Sequence, residues 1–255
     1  MIPYLEAPQW EVAGVTIQFF GLMTICALVF GLLAIYLRAS GSLISKFQAL
    51  EASMWVAVIS LVTSHLVAII AYQPHELLNN PLLLLDITGS MSSLGGMVGG
   101  GLGSVVLLRR VYGWSQAQTW SFLDLLTWGF LIGHFFGRLG CAFAHDHVGI
   151  KSDAFLAVRF PEGPRLDLGL LEWFWITACI ALFWALSKRP RGPGFYVLSF
   201  LIAHGSFRFM MDFLRIPVAR YLGLTPAQYA CLALVFAAAW ITTRRYQQAR
   251  VVPVG

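Results

Sequence analysis

The chain has 255 residues, 58% of them hydrophobic and 11% charged, with a formal net charge of +5. So few charges leave too little polar surface for a soluble domain, and the composition places the chain in a bilayer. The positive surplus is ordinary for an inner-membrane protein and gives no ground for nucleic-acid binding.

Crossing a bilayer takes roughly 20 apolar residues per helix. Seven stretches qualify, at 17–37, 52–72, 91–108, 120–143, 168–186, 195–214 and 227–243. The sequence therefore predicts an all-α integral membrane protein of about seven transmembrane helices, forming one transmembrane domain over residues 1–255. No soluble domain, low-complexity tract or clear internal repeat is expected. Residues 1–16 lack the basic region of a cleavable signal. Arg38 and Lys46 follow span one, Arg109 and Arg110 span three, Lys188, Arg189 and Arg191 span five, and Arg244, Arg245 and Arg250 span seven. Alternate loops that carry the basic residues belong inside, so the N-terminus is expected to be periplasmic and the C-terminus cytoplasmic. Lys151, Arg159 and Arg165 after span four, and Arg215 and Arg220 after span six, sit on the wrong side and point to function instead.

An ionisable group inside a bilayer costs about 2.5–3.5 kcal/mol on insertion scales, and survives where it pairs or lines a wet cavity. In chain order these groups are His65, His134, Arg138, Asp146, Glu172, His204, Arg208 and Asp212, mostly near predicted outer ends. That clustering predicts one polar chamber opening outward. The stretch SMSSLGGMVGGGLG at 90–103 opens span three. Its glycines suit close helix packing; alternatively Ser92, Ser93 and the bare amides of Gly95 and Gly96 form a polar entrance for a lipid headgroup. No Gly-Lys-Ser/Thr follows, so it is not a phosphate loop. In GRLG, Gly137 and Gly140 leave room beside Arg138 for a headgroup or another backbone.

His145, Asp146 and His147 follow directly. On an extended backbone the two histidines would face the same way, a metal-ligand spacing. The preferred reading is one histidine as acid or base, since imidazole titrates near neutrality, and the plainest is a polar helix end. On span six, Arg208, Asp212 and Arg215 share one helix face. That run reads equally as an internal salt bridge or as an anion site, because arginine's planar fork fits phosphate oxygens. Cys26, Cys179 and Cys231 read as small buried residues; Cys141 reads as packing or as a small polar group near the headgroup.

These motifs together resemble the prolipoprotein diacylglyceryl transferase family nearly end to end. FFGLM at 19–23 is similar to the family's aromatic-Tyr-Gly-Leu opening of span one. NNPLLLL, followed by GSMSSLGGMVGG, resembles its Asp-Pro stretch and Gly-Met-Ser-Phe-His-Gly-Gly-Leu-Ile-Gly motif. GRLGCAFAHDHVG resembles its signature Gly-Arg-Ile-Gly-Asn-Phe-x-Asn-x-Glu-x-x-Gly. LLE at 170–172 resembles the end of Gln-Leu-Tyr-Glu-x-Leu-Leu-Glu, and FRFMMDFLR resembles Phe-Arg-x-x-x-Glu-x-x-Arg. Departures accompany the match. Leu94 stands for the family's histidine, Cys141 for its asparagine, Asp146 and Asp212 for glutamates, His65 for an arginine, and RLDL for Gln-Leu-Tyr-Glu.

The resemblance implies an inner-membrane enzyme that moves diacylglyceryl from phosphatidylglycerol to a prolipoprotein cysteine thiol, releasing glycerol phosphate. Arg138 and Arg208 would hold the phosphate and stabilise the charge of the leaving group. Glu172 and Asp212 would hold the arginines, with Arg215 beside them. His145 or His147, oriented by Asp146, would take the thiol proton, since the thiolate is the nucleophile. Lys151, Arg159 and Arg165 would line an outer cover that attracts headgroups. No metal or other cofactor is expected. The rewritten acid–base residues keep two alternatives open: the same fold with another acceptor, and a non-catalytic phospholipid-binding protein.

Overall fold

The computed structural model describes residues 1–12, 14–86, 91–216 and 220–251. Long helices stand where the apolar runs are: α1 (Phe19–Arg38), α2 (Lys46–Tyr72), and, after the short α3 (Pro74–Asn79), α4 (Ser93–Arg110), α5 (Gln116–Ala144), α6 (Leu168–Leu186), α7 (Phe195–Met211) and α8 (Pro226–Val251). Five of them, α1, α2, α6, α7 and α8, are long and apolar enough to cross a membrane. The other two are interrupted chemically: α4 ends on Arg109 and Arg110, and α5 carries Asp124, His134 and Arg138. The chain is therefore a mostly helical membrane protein.

Local chemistry starts four of the long helices. Ser45, Ser92 and Asp167 accept hydrogen bonds from the amides of Gln48, Gly95 and Leu170, and Ser115 with Gln118 forms a full capping box. The start of α7 is capped from another helix: Asp124 of α5 accepts from the amides of Gly194 (2.7 Å) and Val197 (2.9 Å).

Small residues bring the helices together. On α4, an added Cβ at Gly95 would fall 2.6 Å from Val67 Cβ, at Gly99 2.2 Å from Thr63 Oγ1, and at Gly103 2.5 Å from Ile59 Cγ2. Those partners are one turn apart on α2, so the glycine stripe is an interhelical seam. Gly31, Gly129 and Gly133 do the same between α1 and α5, where backbones approach to van der Waals contact.

Two findings depart from the sequence reading. The first is a β layer at one end of the bundle. β1 (Ile2–Pro3) pairs in parallel with β5 (Ala157–Phe160), β5 pairs antiparallel with β6 (Gly163–Asp167), and β6 with β4 (Val148–Lys151), while β2 (Gln9–Val12) and β3 (Val15–Gln18) form a hairpin. Strands this short give too weak an alternation to read against apolar helices of 20 residues or more. The second is an internal repeat. FLIGHFFGR at 130–138 and FLIAHGSFR at 200–208 share Phe, Leu, Ile, His and Arg at the same places. Nine residues lie below the period that marks repeat architectures, and only the packing of α5 on α7 brings the two copies side by side.

Candidate functional site

The β layer meets the ends of α5 and α7 and the start of α6, and the charged groups gather there. Arg138, 6% exposed on α5, forms an ion pair with Glu172 on the first turns of α6, which is 0% exposed. Arg208 on α7 pairs with the other oxygen of the same carboxylate. Arg208 also lies 3.4 Å from Asp212, which accepts from the Thr225 hydroxyl and lies 4.0 Å from Arg215. Three guanidinium groups thus share two buried carboxylates, leaving one positive charge in surplus. Buried charges persist only when paired, and a surplus cation is the arrangement that could take an anion.

Other elements lock this chain of charges. The Thr225 amide donates to Gln228 Oε1 (3.0 Å), and Gln228 Nε2 donates to the Phe209 carbonyl (3.1 Å), so the start of α8 clamps the end of α7. The backbone of Arg215 bridges Gly149 of β4. Tyr72, on the last turn of α2, hydrogen-bonds Ser92 and lies within electrostatic reach of Arg215, Asp212 and Arg208. Ser92 is buried and held to α2 by Ser64, whose hydroxyl donates to its carbonyl (2.8 Å). Tyr72 and Thr225 were not expected from the sequence. A tyrosine or threonine in an apolar helix end is common, and neither lies in a charged motif.

The histidines behind Arg138 divide into two roles. His145 stands at the C-cap of α5 with a left-handed backbone, φ 50°. Its Nδ1 lies 2.6 Å from Asp167 Oδ2 and its Nε2 3.0 Å from the Leu5 carbonyl, and its ring stacks on Tyr4 at 4.4 Å. Both nitrogens are engaged, so His145 ties the N-terminal strand to the start of α6. Burial pushes the Asp167 carboxyl up, and the hydrogen bond from His145 offsets only part of that rise. His147 is different. Its Nδ1 lies 2.8 Å from Asp146 Oδ1 and its side chain is 23% exposed. Burial pushes the Asp146 carboxyl up as well, but the hydrogen bond and charge of His147 outweigh it and hold the acid below the usual carboxylate value. Cys141 connects this pair to the arginines: its thiol hydrogen-bonds Asp146, and Arg138 Nη1 donates to its sulfur at 3.8 Å.

The glycines sort likewise. A Cβ on Gly140 would meet Phe20 and Met23 of α1 at 3.1 and 3.2 Å, and Gly95 and Gly96 face α2, so these three pack helices. Gly137, beside Arg138, has open space around it. The side chains of Ser93 and Leu94 lie outside the described residues. Lys151 and Arg165 are cross-strand partners on β4 and β6, and Arg159 lies on β5, so the basic residues after α5 do share one sheet.

Known proteins of one family are similar to this chain. The family model described as prolipoprotein diacylglyceryl transferase matches residues 9–244. The phosphatidylglycerol–prolipoprotein diacylglyceryl transferase of Pseudomonas aeruginosa (strain LESB58) is 28% identical over 219 residues, covering 82% of this chain and 81% of that protein. The protein of the same name from Azotobacter vinelandii is 26% identical over 266 residues, covering 97% and 98%. That from Bordetella avium is 28% identical over 241 residues, covering 86% and 87%. With a match that runs through every long helix and the whole arginine network, the chain belongs to the prolipoprotein diacylglyceryl transferase family.

Proposed function

We propose that this chain is a phosphatidylglycerol-dependent diacylglyceryl transferase of the bacterial inner membrane, acting on the cysteine thiol of a prolipoprotein. It forms one transmembrane domain that crosses the bilayer seven times, with the N-terminus periplasmic and the C-terminus cytoplasmic. The seven long helices and the placing of basic residues in alternate loops support that topology.

The observation that carries the reading is the convergence of Arg138 and Arg208 on one buried carboxylate, Glu172. Held there, the two guanidinium groups bind the lipid phosphate, and Asp212 and Arg215 set their positions. Gly137 leaves the headgroup room beside Arg138, and Ser92, with Tyr72, closes the side toward α2. His147, oriented by Asp146, takes the proton from the acceptor thiol. The thiolate attacks the glyceryl carbon that carries the phosphate: a C–S bond forms, the C–O bond breaks, and glycerol phosphate leaves with its new charge between the arginines. His145, with both nitrogens engaged, holds the fold instead. This route needs no metal or other cofactor.

The test is mass spectrometry of the purified protein with phosphatidylglycerol and a peptide carrying a lipobox cysteine. A peptide that gains one diacylglyceryl mass, with glycerol phosphate released, is the expected result. Lipid consumed with the peptide unmodified assigns another acceptor. Lipid retained with neither changed makes the chain a phospholipid-binding protein.

A further inference from the structure

The repeated nine residues meet as matching rungs. Phe130 lies edge-on to Phe200 at 5.6 Å, and His134 edge-on to His204 at 5.7 Å, while Arg138 and Arg208 share Glu172. Further down, Asp124 receives the Gly194 amide. Like residues stand opposite one another at the three rungs and the same offset holds at Asp124 and Gly194, so α5 and α7 run in the same direction and in register. Within each helix the phenylalanine stacks on its own histidine, at 4.8 Å on α5 and 4.9 Å on α7. Two equal ladders result. The arginine rung lies nearest the β layer, and the histidine rung lies one turn deeper, about 6 Å for four helical residues.

One member of the histidine rung, His204, has hydrogen-bonding capacity to spare. Arg138 Nε donates to His134 Nε2 at 3.4 Å. Arginine has no lone pair to offer, so His134 is neutral and carries its proton on Nδ1. His204 is 3% exposed, and its Nδ1 has no partner among the described residues. Leaving a ring nitrogen unpaired in an apolar helix pair costs stability, and calls for a partner supplied by something other than the chain. That partner must be neutral, because the arginines directly above already serve the anion. A neutral imidazole offers one N–H and one lone pair; with the N–H of His204 on Nδ1, as on His134, the partner accepts.

A glycerophospholipid has this layout. Its phosphate lies outermost, and its two ester carbonyls, which only accept, lie just beneath on the way to the acyl chains. We infer that His134 and His204 bind the ester carbonyls of the lipid whose phosphate Arg138 and Arg208 hold, and so select diacyl over ether-linked glycerolipid. This rests on the transferase reading for the phosphate.

The experiment offers the full-length protein dioleoyl phosphatidylglycerol and its dialkyl ether analogue in equal amounts, with the acceptor peptide. The ratio of the two products is read by mass. Wild type should favour the diester about tenfold, the worth of one good hydrogen bond. His204→Phe keeps the ring stack on Phe200 and should bring the ratio close to one; His204→Gln, which restores an N–H, should recover part of it. Equal use of both lipids by wild type, or an undiminished preference in His204→Phe, overturns the inference. Native mass spectrometry of retained lipid gives the same ratio without turnover. Absence of transfer would therefore sink the transferase reading alone, and the retained ratio would still decide the role of the histidines.

Discussion

The arginine network and the turn that follows it are a few residues apart, yet they hold their polar groups in opposite ways. Arg138, Glu172 and Arg208 sit on three helices and Asp212 on the turn after α7; both acids and Arg138 are buried and Arg208 nearly so, and each depends on an ion-pair partner. In the turn, His145 is fixed between Asp167 and Leu5, while His147, two residues on, keeps only Asp146 and stays partly open. The same residue type is structural in one place and available for chemistry in the next. What decides is the number of ring nitrogens already spent. Sequence proximity does not tell them apart, and the backbone does: the left-handed turn at His145 sends the two rings to different neighbours.

The comparison breaks first at Glu172. Glu172→Gln would leave Arg138 and Arg208 facing each other without their shared anion, which costs about 3–5 kcal/mol when a buried pair loses one partner. Thermal unfolding in detergent should show it. Arg208→Ala removes a charge and relieves that crowding, so the protein should fold while transfer falls by about 10²–10³, as for loss of one preorganised donor. An Arg208→Ala protein with near-normal transfer would dismiss the phosphate clamp.

The turn gives the next largest effect. His147→Gln should slow transfer by about 10²–10⁴, the worth of a positioned acid–base group, with little change in stability, because the side chain is partly exposed. Asp146 is held below the usual carboxylate value, so it stays charged down to strongly acidic pH. The carboxylate then puts no limb of its own into the mildly acidic range, and Asp146→Asn should lower the rate by freeing the His147 ring. Equal rates for wild type and His147→Gln would return the base to another residue.

Much of this was legible in the chain, for reasons that differ by element. The apolar runs found all seven long helices, five of them as signals long and apolar enough to cross a membrane and two despite the charges that interrupt them. The arginines and acids were legible because charge in a helix of this kind must have a partner. The glycines of α4 admitted two readings, and only the distance to Thr63 and Val67 decides for packing in Gly95 and Gly99. The β layer and the role of Leu5 were not legible. A backbone carbonyl that engages His145 from 140 positions away leaves no trace in the residue types involved.

The smallest effect sharpens the contrast between the two histidines through pH. Burial raises the Asp167 carboxyl and His145 pulls it part of the way back. A raised acid contributes stability that is whole below its unfolded value and is lost as pH rises through the folded one. His145→Ala removes the side chain that lowers it most, so the folded value climbs further and a buried carboxylate faces neutral pH with only the Leu170 and Gly169 amides to serve. The variant should therefore unfold almost like wild type in mild acid and lose about 1–3 kcal/mol at neutral pH. Transfer measured well below the unfolding temperature should change little. A loss equal at both pH values would mean that His145 acts through its stacking on Tyr4. A collapse of transfer in a fully folded protein would move it from the frame of the site to its chemistry.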